Sequence, residues 1–120
     1  MEVPDLAELI SLFEDAPTTE YDDLDWPVGR HTFRLTRGRI TVRFALDPLA
    51  GEVAVTLFAD EQEVAHLGRI RTVDRLTITR DRSGGEGLRL WAPAVSSRPL
   101  VLRTRPAISL AWDIRDTGQW

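Results

Sequence analysis

The sequence contains no cysteine, no lysine and no asparagine. The absence of cysteine excludes thiol catalysis, thiolate metal ligands and disulfide bonds. All 15 basic residues are therefore arginines. Because lysine and asparagine codons are rich in A and T, we hypothesise that the chain comes from a bacterium with a GC-rich genome.

Long apolar runs are also missing. A membrane-spanning helix needs about 18 to 20 apolar residues, and no stretch of the chain approaches that length. The amino terminus has no basic region followed by an apolar one, so we expect a cytoplasmic protein that does not enter a membrane. The 120 residues predict a single domain. We divide it into a helix (1–16), an acidic connector (17–29) and a β body (30–120).

Catalytic and metal-binding patterns are absent too. No serine lies in a nucleophile-elbow motif. His31 and His66 are predicted on one apolar sheet face, three strand spacings or about 14 Å apart, which is too far to share a metal ion. The closely spaced Asp22, Asp23 and Asp25 lack the glycine and distal glutamate of a calcium loop. The sequence predicts no enzyme, no cofactor and no metal site.

The stretch from Arg30 to Leu67 predicts four antiparallel strands. Its turns are expected at Arg37-Gly38, at Pro48 to Gly51, and at Asp60-Glu61. All three turns place apolar residues on one face, since side chains alternate along a strand. The predicted pairs are Leu35 with Ile40, Phe33 with Val42, His31 with Phe44, Leu46 with Val53, Phe44 with Val55, Val42 with Leu57, Leu57 with Val64, and Val55 with His66.

Two further hairpins are predicted after a bend at Gly68 to Thr72. In the first, from Thr72 to Trp91, Ile78 faces Leu88, Leu76 faces Leu90, and Arg75 meets Trp91 on the reverse face. In the second, Leu102 faces Ile108 and Leu100 faces Leu110. The fold class is therefore mainly β, with about eight antiparallel strands in a meander-type barrel or a two-sheet sandwich.

A short amphipathic helix is predicted before the strands, from Val3 to Asp15. Leu6, Leu9, Ile10 and Phe13 follow helical spacing. Asp5 and Glu8 resemble a capping box. Because so short a helix is marginal in water, we expect its apolar stripe to pack on the chain's own body.

Charge is distributed unevenly. Residues 1–29 hold nine acids and no base, while residues 30–120 hold ten acids and all 15 arginines. The acidic part also carries two large aromatics, a composition typical of segments that dock on basic surfaces, either of a partner or of the chain's own arginine-bearing body. The alternative is an ordered connector in which Trp26 fills the edge of the core. The candidate partner-binding residues are Tyr21, Asp22, Asp23, Asp25 and Trp26 in this part, and Arg34 and Arg43 on the outer face of the first hairpin.

These observations favour a non-enzymatic protein-interaction domain, namely an adaptor, an inhibitor or an immunity-type protein that binds a partner protein. A homodimer is one form such an interaction could take. The first alternative is a small β-barrel that binds an apolar small molecule. The second is single-stranded nucleic-acid binding through the arginine-bearing hairpin, which a pI near 5.1 disfavours.

Overall fold

The computed structural model describes residues 1–19 and 25–113, which form two antiparallel sheets and one helix. The helix α1 spans Leu6–Phe13. The strands are β1 Thr18–Thr19, β2 His31–Arg37, β3 Ile40–Asp47, β4 Glu52–Ala59, β5 Gln62–Ile70, β6 Arg75–Arg80, β7 Glu86–Trp91, β8 Leu100–Arg105 and β9 Ser109–Trp112. Strands β1 to β5 form one sheet in chain order, and β6 to β9 form the other. The mainly β fold is confirmed as a sandwich, because neither sheet closes into a barrel.

The first hairpin differs from its predicted register by two residues. Gly38 begins the two-residue loop with a φ of 60°, so Arg37 pairs with Ile40 and Leu35 pairs with Val42. Glycine suits that first loop position because it adopts positive φ without a steric penalty. A shift of two residues preserves the face of every side chain, so Phe33, Leu35, Val42 and Phe44 are buried as predicted.

The β3–β4 hairpin has the predicted register, but β5 does not. Phe44 pairs with Val55 and Leu46 pairs with Val53. The pairing of β4 with β5 then shifts between Phe58 and Leu57, a β-bulge that leaves Val64 without a ladder partner. The predictions that Val64 and His66 lie on the apolar face are wrong. Val64 is 60% exposed, and His66 pairs with Thr56 on the outer face.

The second sheet contains the two predicted hairpins. Ile78 pairs with Leu88, and Arg75 pairs with Trp91, whose ring centroid lies 4.7 Å from the Arg75 guanidinium carbon. Leu102, however, pairs with Leu110 rather than Ile108, which is again a shift of two residues that keeps the faces unchanged.

The helix packs on the chain's own body, as predicted. Leu9, Leu12 and Phe13 are buried, and the Phe13 ring stacks on Phe33 at 5.0 Å and on Phe44 at 5.6 Å between ring centroids. The helix is shorter than predicted, and the Asp5 side chain forms no capping hydrogen bond. Instead, the Asp5 carbonyl accepts hydrogen bonds from the first-turn amides.

The predicted connector contains one strand that the sequence analysis did not anticipate. Thr18 and Thr19 pair with Thr32 and His31, which makes β1 a short edge of the first sheet. Across residues 1–19 and 25–113, no helix has the length and apolarity needed to cross a membrane.

Candidate functional site

The outer side of the five-stranded sheet carries a row of polar side chains. Strand pairing places Arg34 opposite Arg43, Arg43 opposite Thr56, and Thr56 opposite His66. Alternation along β4 puts Phe58, two residues after Thr56, on the same side of the sheet. We call these five residues the arginine face.

Two like charges lie directly opposite each other in this row. Arg34 and Arg43 are both exposed, and neither forms an ion pair with any carboxylate in the described residues. Directly opposed like charges destabilise a sheet. Both guanidinium groups are instead directed at the Phe58 ring, with their carbons 5.8 and 5.3 Å from its centroid. Exposed contacts of this type contribute about 0.5–1 kcal/mol each. They leave both positive charges without a carboxylate partner among the described residues.

A hydrogen bond fixes the other end of the row. Thr56 Oγ1 and His66 Nδ1 lie 2.8 Å apart, and Thr56 is buried although it belongs to the outer side. Gly68 allows β5 to approach β4 closely, because an added Cβ would lie 2.8 Å from the Ala54 Cβ. A depression of about 180 Å³ begins at His66 and extends to Arg30 and Arg69. The arginine face therefore borders a depression that two arginines and two acids line, namely Arg30, Arg69, Asp47 and Glu52.

The predicted partner-binding residues lie in two places. Arg34 and Arg43 are together on the arginine face. Asp25 is exposed, and the half-buried Trp26 ring contacts the His31 ring edge-on at 4.7 Å between centroids. His31 itself is buried and donates a hydrogen bond from Nε2 to the Val28 carbonyl at 2.8 Å. Tyr21, Asp22 and Asp23 lie outside the described residues.

Glu14 joins the helix to both sheets. It follows α1 with a φ of 63°, and its carboxylate accepts hydrogen bonds from Arg37 on β2 and Arg105 on β8. Arg37 also donates to the Thr104 carbonyl on β8 at 3.0 Å. The hydrogen bonds from Arg37 and then Arg105 hold the pKa of Glu14 below its ordinary value. Glu14, an acid of the amino-terminal part, therefore has a structural role.

The glycine-rich stretch between β6 and β7 is organised by Asp81. The Asp81 carboxylate accepts hydrogen bonds from the amides of Ser83 and Gly85 at 3.0 and 2.7 Å, and from the Ser83 hydroxyl at 2.7 Å. The Ser83 hydroxyl and the Gly85 amide hold the pKa of Asp81 below its ordinary value. The loop amides that a phosphate would require are therefore already occupied.

Three members of the arginine face, Thr56, Phe58 and His66, were missing from the sequence-based candidates. Phe58 could have been found, because it follows Thr56 by two residues and alternation puts both on the outer side. His66 could not, because the bulge at Val64 reverses the expected side and no residue in that stretch marks it.

Comparisons with known proteins identify one similar fold. No protein-family model and no curated protein matches the sequence. Among solved structures, the chain is similar to one in the contact-dependent growth inhibition toxin–immunity protein complex from Klebsiella pneumoniae 342. The TM-score is 0.73 at 20% identity, and the match covers 92% of this chain and 93% of that one. At this identity the similarity establishes a shared fold.

Proposed function

We propose that this chain is a non-enzymatic, immunity-type protein that binds a partner toxin and blocks its activity. The observation that carries the proposal is the Arg34–Arg43 pair, which is exposed on the outer side of a well-packed sheet and has no carboxylate partner in residues 1–19 and 25–113. A docked protein could supply the carboxylates that Arg34 and Arg43 do not contact among the described residues. The fold shared with a chain of a toxin–immunity complex favours the immunity type over an adaptor or another inhibitor. The proposed setting is the cytoplasm of a bacterium with a GC-rich genome.

The interior gives no support to the apolar-ligand alternative. The space between the sheets is filled by the stacked rings of Phe13, Phe33 and Phe44 and by buried leucines and valines. Large aromatic side chains at such contact distances leave little volume for a guest molecule. The surface depression beside His66, at about 180 Å³, is smaller than the roughly 300 Å³ at which ligand pockets begin.

Nucleic-acid binding is disfavoured by the position of Phe58. Single-stranded nucleic acids stack their bases on open aromatic rings. Here Arg34 and Arg43 both lie over the ring, and Phe58 is already partly buried. The Phe58 ring is therefore not a free stacking surface.

A growth assay tests the proposed function. The gene next to this one in the native genome is expressed in a laboratory host, with and without this chain. We expect the neighbouring product to arrest growth, co-expression to restore it, and the two purified proteins to elute as one complex. A harmless neighbouring product, or growth arrest that this chain does not relieve, would contradict the proposal.

A further inference from the structure

We infer that the arginine face binds an acidic segment of the partner, with partner carboxylates held between Arg34 and Arg43. This inference rests on the proposed function and specifies the chemistry of the partner. It is unexpected from composition, since a chain with a net charge of −4 would be expected to seek a basic partner.

The charges of Arg34 and Arg43 are complementary to an acidic ligand. Other arginines of the first sheet have carboxylate partners: Arg37 pairs with Glu14, Arg39 with Asp60, and Arg69 with Glu52. Arg34 and Arg43 have none among the described residues, although they lie side by side across adjacent strands. One carboxylate between them would turn a repulsive pair into two charge-assisted hydrogen bonds, because each guanidinium presents a planar set of donors.

The Arg34 and Arg43 side chains are pre-organised by their contacts with Phe58. The guanidinium carbons of Arg34 and Arg43 lie 5.8 and 5.3 Å from the centroid of the Phe58 ring, which limits the orientations of both groups. Arginine side chains held in this way lose less conformational entropy when they bind a carboxylate. A mobile, fully solvated pair of arginines would not have that advantage.

The arginine face borders a depression at the His66 end of the row. His66 ends the row, and Arg30 and Arg69 lie beyond it around the neighbouring depression. Asp47 and Glu52 also line the depression, and Glu52 lies 3.7 Å from Arg69 and from Arg71. Because these two acids balance Arg30 and Arg69 in the depression, we place the partner carboxylate at Arg34 and Arg43.

Peptide binding tests the inference on the purified full chain. The probe is an end-blocked hexaglutamate peptide at about 0.15 M salt, where charges are screened beyond about 8 Å. Hexaglutamine and a hexathymidylate oligonucleotide serve for comparison. We expect amide NMR signals to shift at Arg34, Arg43 and Phe58 with hexaglutamate only. The double variant Arg34→Glu, Arg43→Glu should weaken hexaglutamate binding by about tenfold or more, as expected for lost charge-assisted hydrogen bonds.

The control variant is Arg82→Glu, Arg89→Glu. It changes the net charge equally, and both residues are exposed outside the arginine face. Its binding should stay within about twofold of the unmodified chain, since distant exposed charges are largely screened. Equal weakening by both variants, or signal shifts centred elsewhere, would overturn the inference. So would oligonucleotide binding at the same residues, which would make the ligand a nucleic acid.

Two other occupants are separated by the same assay. If the face is covered by the chain's own acidic part, alanine at Asp22, Asp23 and Asp25 will tighten hexaglutamate binding. If it is covered by a second copy, sedimentation will show a dimer that Arg34→Glu, Arg43→Glu disrupts. Either result would overturn the inference. Growth rescue that survives Arg34→Glu, Arg43→Glu would do so too, while leaving the proposed immunity function intact.

Discussion

Phe44 on β3 lies directly opposite Val55 on β4, and both side chains are fully buried. The pair was predicted from the turn at Pro48 to Gly51. Phe44 also stacks on Phe13 of the helix. Phe44 therefore connects the first sheet to α1, the helix that covers one part of the core.

Truncating this ring should be costly. We expect Phe44→Ala to lower the free energy of unfolding by about 3–5 kcal/mol, because it removes a buried ring and leaves a cavity. Phe58→Ala is the matched control. Phe58 is half-buried on the outer side, so we expect a smaller loss of about 2 kcal/mol from its two arginine contacts and partial burial. Urea unfolding measures both, and similar losses would contradict the assignment of inner and outer faces.

The hydrogen bonds to Glu14 should make stability depend on pH. Because the Glu14 pKa is lowered in the folded state, the folded chain binds protons less readily than the unfolded chain, whose glutamate titrates near about 4.3. The stabilisation is therefore complete above that pH and is lost as pH falls through the lowered folded pKa. Glu14→Gln should reduce stability at pH 7, and the difference should shrink in acid.

Chemical unfolding between pH 7 and pH 3 measures this effect. Glu63→Gln is the control, because Glu63 is exposed and forms no ion pair with a described residue. A Glu14→Gln difference that stays constant over the whole pH range would show that the contacts with Arg37 and Arg105 contribute nothing through charge.

The Arg75–Trp91 contact should be measurable as a coupling. The strand register predicts this pairing, and the guanidinium carbon lies 4.7 Å from the ring centroid. A double-mutant cycle with Arg75→Ala and Trp91→Leu should give about 0.5–1 kcal/mol of coupling. Arg82→Ala combined with Trp91→Leu should be additive, because Arg82 lies in the exposed turn. Equal coupling in both cycles would attribute the effect to general charge.

The sequence was sufficient to predict the buried face of β2, β3 and β4, but it misplaced Val64 and His66 on β5 and several cross-strand neighbours. Moving Leu35 from Ile40 to Val42 changes its partner but keeps its side of the sheet. The same shift changes the surface decisively, because Arg34 would otherwise face Thr41 and not Arg43. Core burial depends on alternation alone, whereas the arginine face depends on the loop conformation at Gly38 and the bulge at Val64. Loop conformation and bulges are set by packing that local sequence does not specify.

We expect the acidic connector to make a second contact with the partner. Trp26 packs on the buried His31, so Trp26→Ala should lower the melting temperature. Asp25 is exposed, and we propose that it acts with Tyr21, Asp22 and Asp23 on a basic surface of the toxin. Charge steers such encounters and is screened by salt.

Alanine at Asp22, Asp23 and Asp25 tests that role. The triple variant should leave the melting temperature nearly unchanged and slow association with the purified toxin at low salt, with a smaller effect at high salt. Hexaglutamate binding should not change, because the arginine face is intact. Association at the unmodified rate at both salt concentrations would show that these aspartates take no part in binding, and the arginine face would then have to account for partner capture alone.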